Sequence, residues 1–202
     1  MNETAAAASV SGVILAGGQG RRMGSVDKGL KLLRGRPMVA WVLERFGPQV
    51  DEVLINANRN LERYRTFGCD VIADEVGGFA GPLAGLERGL AHAHHELVAT
   101  VPCDSPFLPR DLIERLRCAL FEHNARLAVA KTGERSHPVF ALCRRDVHDH
   151  LRAFLAGGGR KIDAWYSTLE IVEVAFDDKP DAFSNINTDD ELQAFEGRPP
   201  PA

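Results

Sequence analysis

The sequence predicts an α/β protein in which helices cover both faces of a mostly parallel β-sheet. Short apolar segments alternate with helix-like segments through the first two thirds of the 202-residue chain. This order implies right-handed crossovers between parallel strands. Polar or glycine-rich residues also follow three of the strands directly, at the sheet edge where α/β proteins bind their ligands. Fold class and site position are therefore predicted together.

The predicted strands are short apolar runs in which β-branched residues are frequent. They comprise residues 10–16, 52–57, 69–73, 98–101, 127–130, 139–142 and 169–176. The first run ends at a pair of glycines, and Pro102 ends the fourth. The last run alternates apolar and acidic side chains, which is typical of a half-buried strand.

The predicted helices carry their apolar residues on one face. They comprise residues 37–46, 60–67, about 82–94, a helix opened by residue 109, residues 146–155, and a last helix that ends near residue 195. Pro37 suits the first turn of its helix, where its missing N–H donor is not needed. Residues 188–191, Thr-Asp-Asp-Glu, match a capping box and mark the start of the last helix.

The length fits a single domain, which we place at residues 10–196, with flexible tails at 1–9 and 197–202. Hydrophobic residues make up 45% and charged residues 26%, as in globular proteins. The net charge of −4 argues against nucleic acid as a partner. We expect a monomer.

Membrane and secretory classes are not indicated by the sequence. No apolar run approaches the ~18 residues that a membrane helix needs, and the alanine-rich N-terminus lacks the basic segment of a signal peptide. The four cysteines form no C-x-x-C pair and match no zinc pattern. Reduced thiols in a cytoplasmic protein are the resulting expectation.

A glycine-rich loop with three basic residues follows the first predicted strand, at residues 15–28. Glycine allows the main chain to approach a ligand closely, and successive N–H groups can then bind an anion. The glycines are Gly17, Gly18, Gly20 and Gly24, and the basic residues are Arg21, Arg22 and Lys28. This combination predicts a loop for a nucleoside triphosphate, the alternative being a flexible polar loop.

Two familiar phosphate-binding motifs do not fit this loop. A Walker loop requires Gly-Lys followed by Ser or Thr, which the chain lacks. The dinucleotide fingerprint requires a third glycine where Met23 stands if Gly18 and Gly20 are the first two. The loop therefore belongs to neither class.

Asp104 follows the fourth predicted strand and lies between Pro102 and Pro106. The two prolines restrict the main chain on either side of the carboxylate. Mg²⁺ is commonly bound by one or two protein carboxylates together with phosphate oxygens and water. Asp104 is thus a candidate Mg²⁺ ligand, although aspartate is also common in proline-rich turns.

Several segments together resemble a known family. Residues 15–28, LAGGQGRRMGSVDK, are similar to the signature of the molybdenum cofactor nucleotidyltransferases, and more loosely to the nucleotide-diphospho-sugar transferase superfamily. The match continues in order through NANR at 56–59, GPLAG at 81–85, PCDSP at 102–106, SHP at 136–138 and NINT at 185–188. It covers about residues 10–196 and implies a Rossmann-like three-layer α/β/α fold. Gly17 favours the guanylyltransferase branch, since the cytidylyl relatives usually carry alanine there.

The resemblance implies roles for individual residues. It implies GTP binding by Leu15, Ala16, Gly17, Gly18, Lys28, Asn56, Asp74 and Asp104, with Mg²⁺ on Asp104. The catalytic residues would be Lys28, Arg22 and Asp104. The pterin side would include His137, Asn185 and Asn187. Glycines 77, 78, 81 and 85 suggest main chain close to the purine or ribose.

The implied reaction joins GMP from GTP to the terminal phosphate of molybdopterin and releases pyrophosphate. Transient contacts with proteins that deliver or receive the molybdenum cofactor are implied as well. Two alternatives remain open at this point. One is a related cytidylyl or sugar-phosphate nucleotidyltransferase on the same fold. The other is a GTP-binding adaptor without activity, against which the combination of Lys28 and Asp104 argues.

Overall fold

The computed structural model describes residues 8–18, 27–75 and 81–196 of the chain. Nine strands lie in these residues: β1 Val10–Leu15, β2 Leu32–Leu33, β3 Arg36–Pro37, β4 Glu52–Asn56, β5 Asp70–Ile72, β6 Leu97–Pro102, β7 Leu127–Thr132, β8 Arg135–Arg144 and β9 Ile171–Ala175. The predicted tails at 1–9 and 197–202 fall almost wholly outside the described residues. In the part of the N-terminal tail that is described, the carbonyl of Ala8 accepts a hydrogen bond from the Arg117 guanidinium at 3.2 Å.

Seven α-helices lie in the described residues: α1 Met38–Phe46, α2 Leu61–Arg65, α3 Pro82–His92, α4 Leu112–Glu122, α5 His148–Ala156, α6 Ile162–Tyr166 and α7 Asp189–Glu196. Single 3₁₀ turns cover Lys28–Leu30, Gly47–Gln49, Arg145–Val147 and Pro180–Phe183. No helix in these parts of the chain is both long enough and apolar enough to cross a membrane.

Seven of the strands form one sheet in the order β5-β4-β1-β6-β8-β7-β9. The pairs β5-β4, β4-β1, β1-β6 and β7-β9 are parallel, and only β8 runs antiparallel to its neighbours β6 and β7. The prediction of a mostly parallel sheet is confirmed. Because β1 lies between β4 and β6, the loops that follow these three strands meet at one edge of the sheet.

Alternate residues of each central strand face opposite layers, as the two-residue period of a strand requires. Ile14 of β1 packs in the core that α1 and α4 cover, and the neighbouring Val13 packs in the core under α3, α5 and α6. Helices therefore cover both faces of the sheet, and the three-layer architecture is confirmed.

A hairpin formed by β2 and β3 was not anticipated from the sequence. Its turn consists of Arg34 and Gly35, both of which have positive φ, at 53° and 73°. Such turns usually begin with Asn, Asp or Gly, so an arginine at the first position conceals the signal. The hairpin packs against α7 through a small third core that includes Leu33, Phe107 and Ile186. This contact brings the C-terminal segment of the chain to the edge of the sheet where β1 and β6 end.

Candidate functional site

Lys28 connects three distant parts of the chain through its ammonium group. The residue begins the 3₁₀ turn that follows the glycine loop. Its Nζ donates to Oδ2 of Asp104 at 2.9 Å and to Oδ1 of Asn187. The side chain of Lys28 is 24% exposed and that of Asp104 10%. The structure therefore unites two residues predicted for catalysis with one predicted for the pterin side.

The segment at 184–188 is fixed to the loop that carries Asp104. The main-chain N–H of Ile186 donates to the carbonyl of Asp104 at 2.9 Å, and the hydroxyl of Ser105 donates to Oδ1 of Asn185 at 2.7 Å. Thr188 and Glu191 form the predicted capping box, in which the Glu191 N–H donates to Thr188 Oγ1 at 3.1 Å. Asn187 thereby stays close to Lys28.

A second cluster surrounds Asp74, just beyond the ends of β4 and β5. Nδ2 of Asn56 donates to one carboxylate oxygen of Asp74 at 2.8 Å, and Nδ2 of Asn58 donates to the other at 2.7 Å. The main-chain N–H of Asp74 donates back to Oδ1 of Asn58 at 2.9 Å. Both oxygens of the carboxylate are thus oriented by neutral amides, with lone pairs left for further donors.

The first residues of the glycine loop lie between these two clusters. The N–H of Ala16 donates to the carbonyl of Asn56 at 2.8 Å, while the carbonyl of Leu15 accepts from Cys103 N–H at 3.1 Å. At Gly17, an added Cβ would lie 2.9 Å from Nδ2 of Asn58. The predicted nucleotide residues Leu15, Ala16 and Gly17 therefore contact the side chains and strand ends of both clusters, and Gly18 follows on the exposed side.

Gly85 also belongs to this arrangement, through its close approach to Asn56 and Leu15. It lies in α3, where an added Cβ would come within 2.5 Å of Oδ1 of Asn56 and 2.7 Å of Leu15. The absent side chain thus makes room for Asn56. Glycines 77 and 78 lie outside the described residues, and the expected purine contact stays a prediction.

His137 is placed among aromatic rings close to the segment at 184–188. Its ring stacks on Phe183 with 4.6 Å between centroids, and its Nε2 lies 2.8 Å from Oγ1 of Thr132. Burial, with a smaller effect of Arg135, lowers its pKa, so the ring favours the neutral form. The residue is 8% exposed. A pterin contact stays a prediction, and the contacts seen are those of a packing residue that supports Phe183.

The predicted phosphate contacts of Arg22, and of Arg21, lie outside the described residues, as do Gly20 and Gly24. They stay predictions. Two side chains that do organise the site were not singled out from the sequence, Asn58 and Ser105. Asn58 offered the clearest signal, because it follows Asn56 by two residues at a strand end.

On the prediction that Asp74 contacts the nucleotide, we expect Asn58→Ala to raise the KM for the nucleotide by roughly tenfold and to change kcat little. The variant removes one donor to the Asp74 carboxylate and the acceptor for its N–H, at about 1 kcal/mol each, so Asp74 loses its fixed orientation. Steady-state kinetics measure the effect. Gln49→Ala is the matched control, since the Gln49 amide also accepts from one main-chain N–H, of Ile113, and donates to a carbonyl, of Pro109. Equal KM values for the two variants would contradict the role of Asn58.

Comparison with known proteins gives a consistent result. The family model described as "MobA-like NTP transferase domain" matches residues 12–171. A relative from Cupriavidus metallidurans is 50% identical over 93% of this chain and 94% of its own. A relative from Shewanella sp. strain MR-4 is 48% identical over 91% of this chain and 93% of its own. Both are named molybdenum cofactor guanylyltransferase.

Solved structures show the same architecture. The molybdopterin-guanine dinucleotide biosynthesis protein A of Archaeoglobus fulgidus superposes with a TM-score of 0.75 at 25% identity, covering 92% of this chain and 96% of its own. A nucleotidyl transferase of Methanothermobacter thermautotrophicus, at 18% identity and a TM-score of 0.68, covers 93% of this chain and 96% of its own and shares the fold. The chain is a nucleotidyltransferase and belongs to the MobA-like NTP transferase family.

Proposed function

We propose that this enzyme transfers GMP from GTP to the terminal phosphate of molybdopterin and releases pyrophosphate. The observation that carries the proposal is the position of the Lys28 ammonium, which lies between Asp104 and Asn187 beyond the ends of β1 and β6. The names of the relatives that match nearly the whole chain support the choice of guanine and of the pterin.

The reaction needs little proton transfer. The second pKa of a phosphate monoester is about 6, so the pterin phosphate is already mostly a dianion at neutral pH. One of its oxygens forms a bond to the α-phosphorus of GTP, and the bond from that phosphorus to the β-bridging oxygen breaks. The electron pair leaves with pyrophosphate. A general base is therefore not required, and the enzyme contributes alignment and positive charge.

Lys28 is suited to supply that charge. Its Nζ lies at the point where the glycine loop, the loop after β6 and the segment at 184–188 meet. An ammonium at this point can stabilise charge that develops on the α- and β-phosphates as the bond breaks, without rearrangement during the reaction. Arg22, with Arg21 beside it, would hold the outer phosphates, as the family signature implies.

The oxygens around the Lys28 ammonium also suit a divalent metal. The carboxylate of Asp104 and the amide oxygen of Asn187 already face one cation, and Mg²⁺ prefers such hard oxygen ligands. Asp104 would hold the ion, and bound Mg²⁺ would neutralise charge on the phosphate oxygens. No group of three or more Asp, Glu, His or Cys residues gathers as a metal site in the described ranges. A single carboxylate is nevertheless sufficient when phosphates complete the coordination.

The two substrates would occupy opposite sides of Lys28. Asp74, oriented by Asn56 and Asn58, would accept hydrogen bonds from the guanosine. Asn187 and Asn185 would face the pterin phosphate from the other side. The order of the strands supports this division, because the Asp74 cluster lies beyond β4 and β5 and the asparagines lie beyond β6.

Pyrophosphate release tests the proposal directly. The purified enzyme is incubated with Mg²⁺ and either GTP or CTP, each with molybdopterin, with a sugar phosphate, or without acceptor. We expect release only with GTP and molybdopterin, together with formation of the guanine dinucleotide. If pyrophosphate were released with CTP, or with the sugar phosphate, at least as fast as with GTP and molybdopterin, the proposed substrates would be wrong. GTP binding without release under any condition would show a non-catalytic protein.

A further inference from the structure

Tyr64 places a buried hydroxyl next to the turn that carries Lys28. The residue lies in α2 and is 0% exposed. Its Oη donates to Oδ1 of Asp27 at 2.5 Å, and Nδ2 of Asn60 donates to the other carboxylate oxygen at 3.0 Å. Asp27, the residue immediately before Lys28, is therefore fixed through both of its oxygens.

The same hydroxyl also contacts the residue after Lys28. A Cβ added to Gly29 would lie 2.5 Å from Tyr64 Oη and 3.2 Å from Cys103 Sγ. Only glycine allows this approach. Cys103 in turn precedes Asp104. The phenol thus contacts the side chain of Asp27 and the main chain at Gly29, the residues before and after Lys28. Gly29 also lies against Cys103, in the loop that carries Asp104.

The electrostatics agree with a permanent hydrogen bond. Burial, with smaller effects of Cys103 and Asp27, raises the pKa of Tyr64 well above its usual value. The phenol therefore remains protonated and donates a hydrogen bond to the Asp27 carboxylate. Such a bond to a carboxylate is stronger than one between neutral groups.

We propose that Tyr64 is a positioning residue for nucleotidyl transfer and acts through Asp27 to fix Lys28 relative to Asp104. The inference rests on the proposed function, in which Lys28 must meet the breaking bond. Misplacement by about 1 Å of a group in an active site can cost up to 10² in rate. A side chain with no substrate contact of its own would thereby control turnover.

Tyr64→Phe removes only the oxygen and is the first test. We expect kcat to fall roughly tenfold while the KM for GTP changes less than about twofold, since the proposed role of Lys28 is to stabilise charge that develops only as the bond breaks. Ser11→Ala is the matched control. Ser11 is likewise 0% exposed and donates at 2.5 Å to a carboxylate, that of Glu52, at the opposite edge of the sheet. Its kcat should equal that of the wild type.

A double-mutant cycle then separates positioning from general stability. If Tyr64 acts through Asp27, Tyr64→Phe should lower kcat little in an Asp27→Ala background, so the two effects are not additive. The effects of Ser11→Ala and Asp27→Ala on kcat should be additive, because the two residues are not in contact. Full additivity of Tyr64→Phe and Asp27→Ala would overturn the proposed route.

Acetylation of Lys28 gives a readout that does not depend on activity. The free enzyme is treated briefly with acetic anhydride, and labelling is followed by peptide mass spectrometry with Lys179 as internal reference. We expect faster labelling of Lys28 in Tyr64→Phe and Asp27→Ala, and wild-type labelling in Ser11→Ala.

The outcomes separate the inference from the proposed function. If the wild type released no pyrophosphate, the proposed function would be wrong, but the labelling rates of the variants could still be compared. Unchanged kcat or unchanged labelling in Tyr64→Phe would overturn the inference, and if that variant does not fold, Asp27→Ala decides by the same measurements.

Discussion

Lys28→Met is expected to lower kcat by about 10²–10³, which corresponds to about 2.7–4 kcal/mol of transition-state stabilisation. Methionine keeps most of the side-chain stem and removes the charge that would stabilise the departing pyrophosphate. Folding should suffer less. The side chain of Asp104 is only 10% exposed, so the loss of its lysine donor costs about 1–3 kcal/mol of folding free energy. We therefore expect the Tm to fall by at most about 12 °C for a chain of this size.

Steady-state kinetics beside a melting curve check this expectation. Lys179→Met serves as the control, because Lys179 also pairs with an aspartate, Asp111, at 2.6 Å and carries no proposed role. Lys179→Met should keep wild-type turnover, and its Tm should stay close to that of the wild type. Normal kcat in Lys28→Met, or an equal loss in both variants, would contradict the assignment of Lys28.

The sequence was informative where the site depends on local pattern. The glycines after β1 and the prolines around Asp104 both mark the end of a strand, and parallel strands place their ends at one edge. The position of the glycine loop and Asp104 at one edge therefore followed from topology, once β1 and β6 were expected in the same sheet. The capping box of α7 is equally local and was also predicted correctly.

The partners that lie far apart in the chain could not be predicted in this way. Asn187 is 159 residues from Lys28, and the two meet because α7 packs on the unanticipated hairpin of β2 and β3. Tyr64 and Asp27 are 37 residues apart, and no periodicity connects a helix residue with a loop carboxylate. Such contacts depend on how elements pack in three dimensions, whereas a motif reports only the local chain.

Asp104→Asn is expected to abolish the Mg²⁺ dependence of GTP binding and to lower kcat by about 10²–10³. The amide keeps the size of the side chain, and its oxygen can still accept from Lys28, but the negative charge that Mg²⁺ requires is lost. Calorimetry with GTP in the presence and absence of Mg²⁺ measures the effect. The wild type should bind GTP more tightly with the metal, and the variant should bind it equally in both conditions.

Asp111→Asn is the matched control for the carboxylate. Asp111 pairs with Lys179 as Asp104 pairs with Lys28, so the control loses a comparable charge at a lysine without a proposed role. It should retain the Mg²⁺ effect on GTP affinity. A variant at Asp104 that still bound GTP more tightly with Mg²⁺ would show that the metal is held elsewhere.

Combining Lys28→Met with Asp104→Asn distinguishes a functional pair from a structural one. Removing one partner leaves the other without its counter-charge, whereas removing both can be nearly neutral for folding. The Tm of the double variant should therefore recover towards that of the wild type. Turnover should not recover, because transition-state charge and metal binding are both lost. A double variant that regained turnover together with stability would show that Lys28 and Asp104 serve the fold alone.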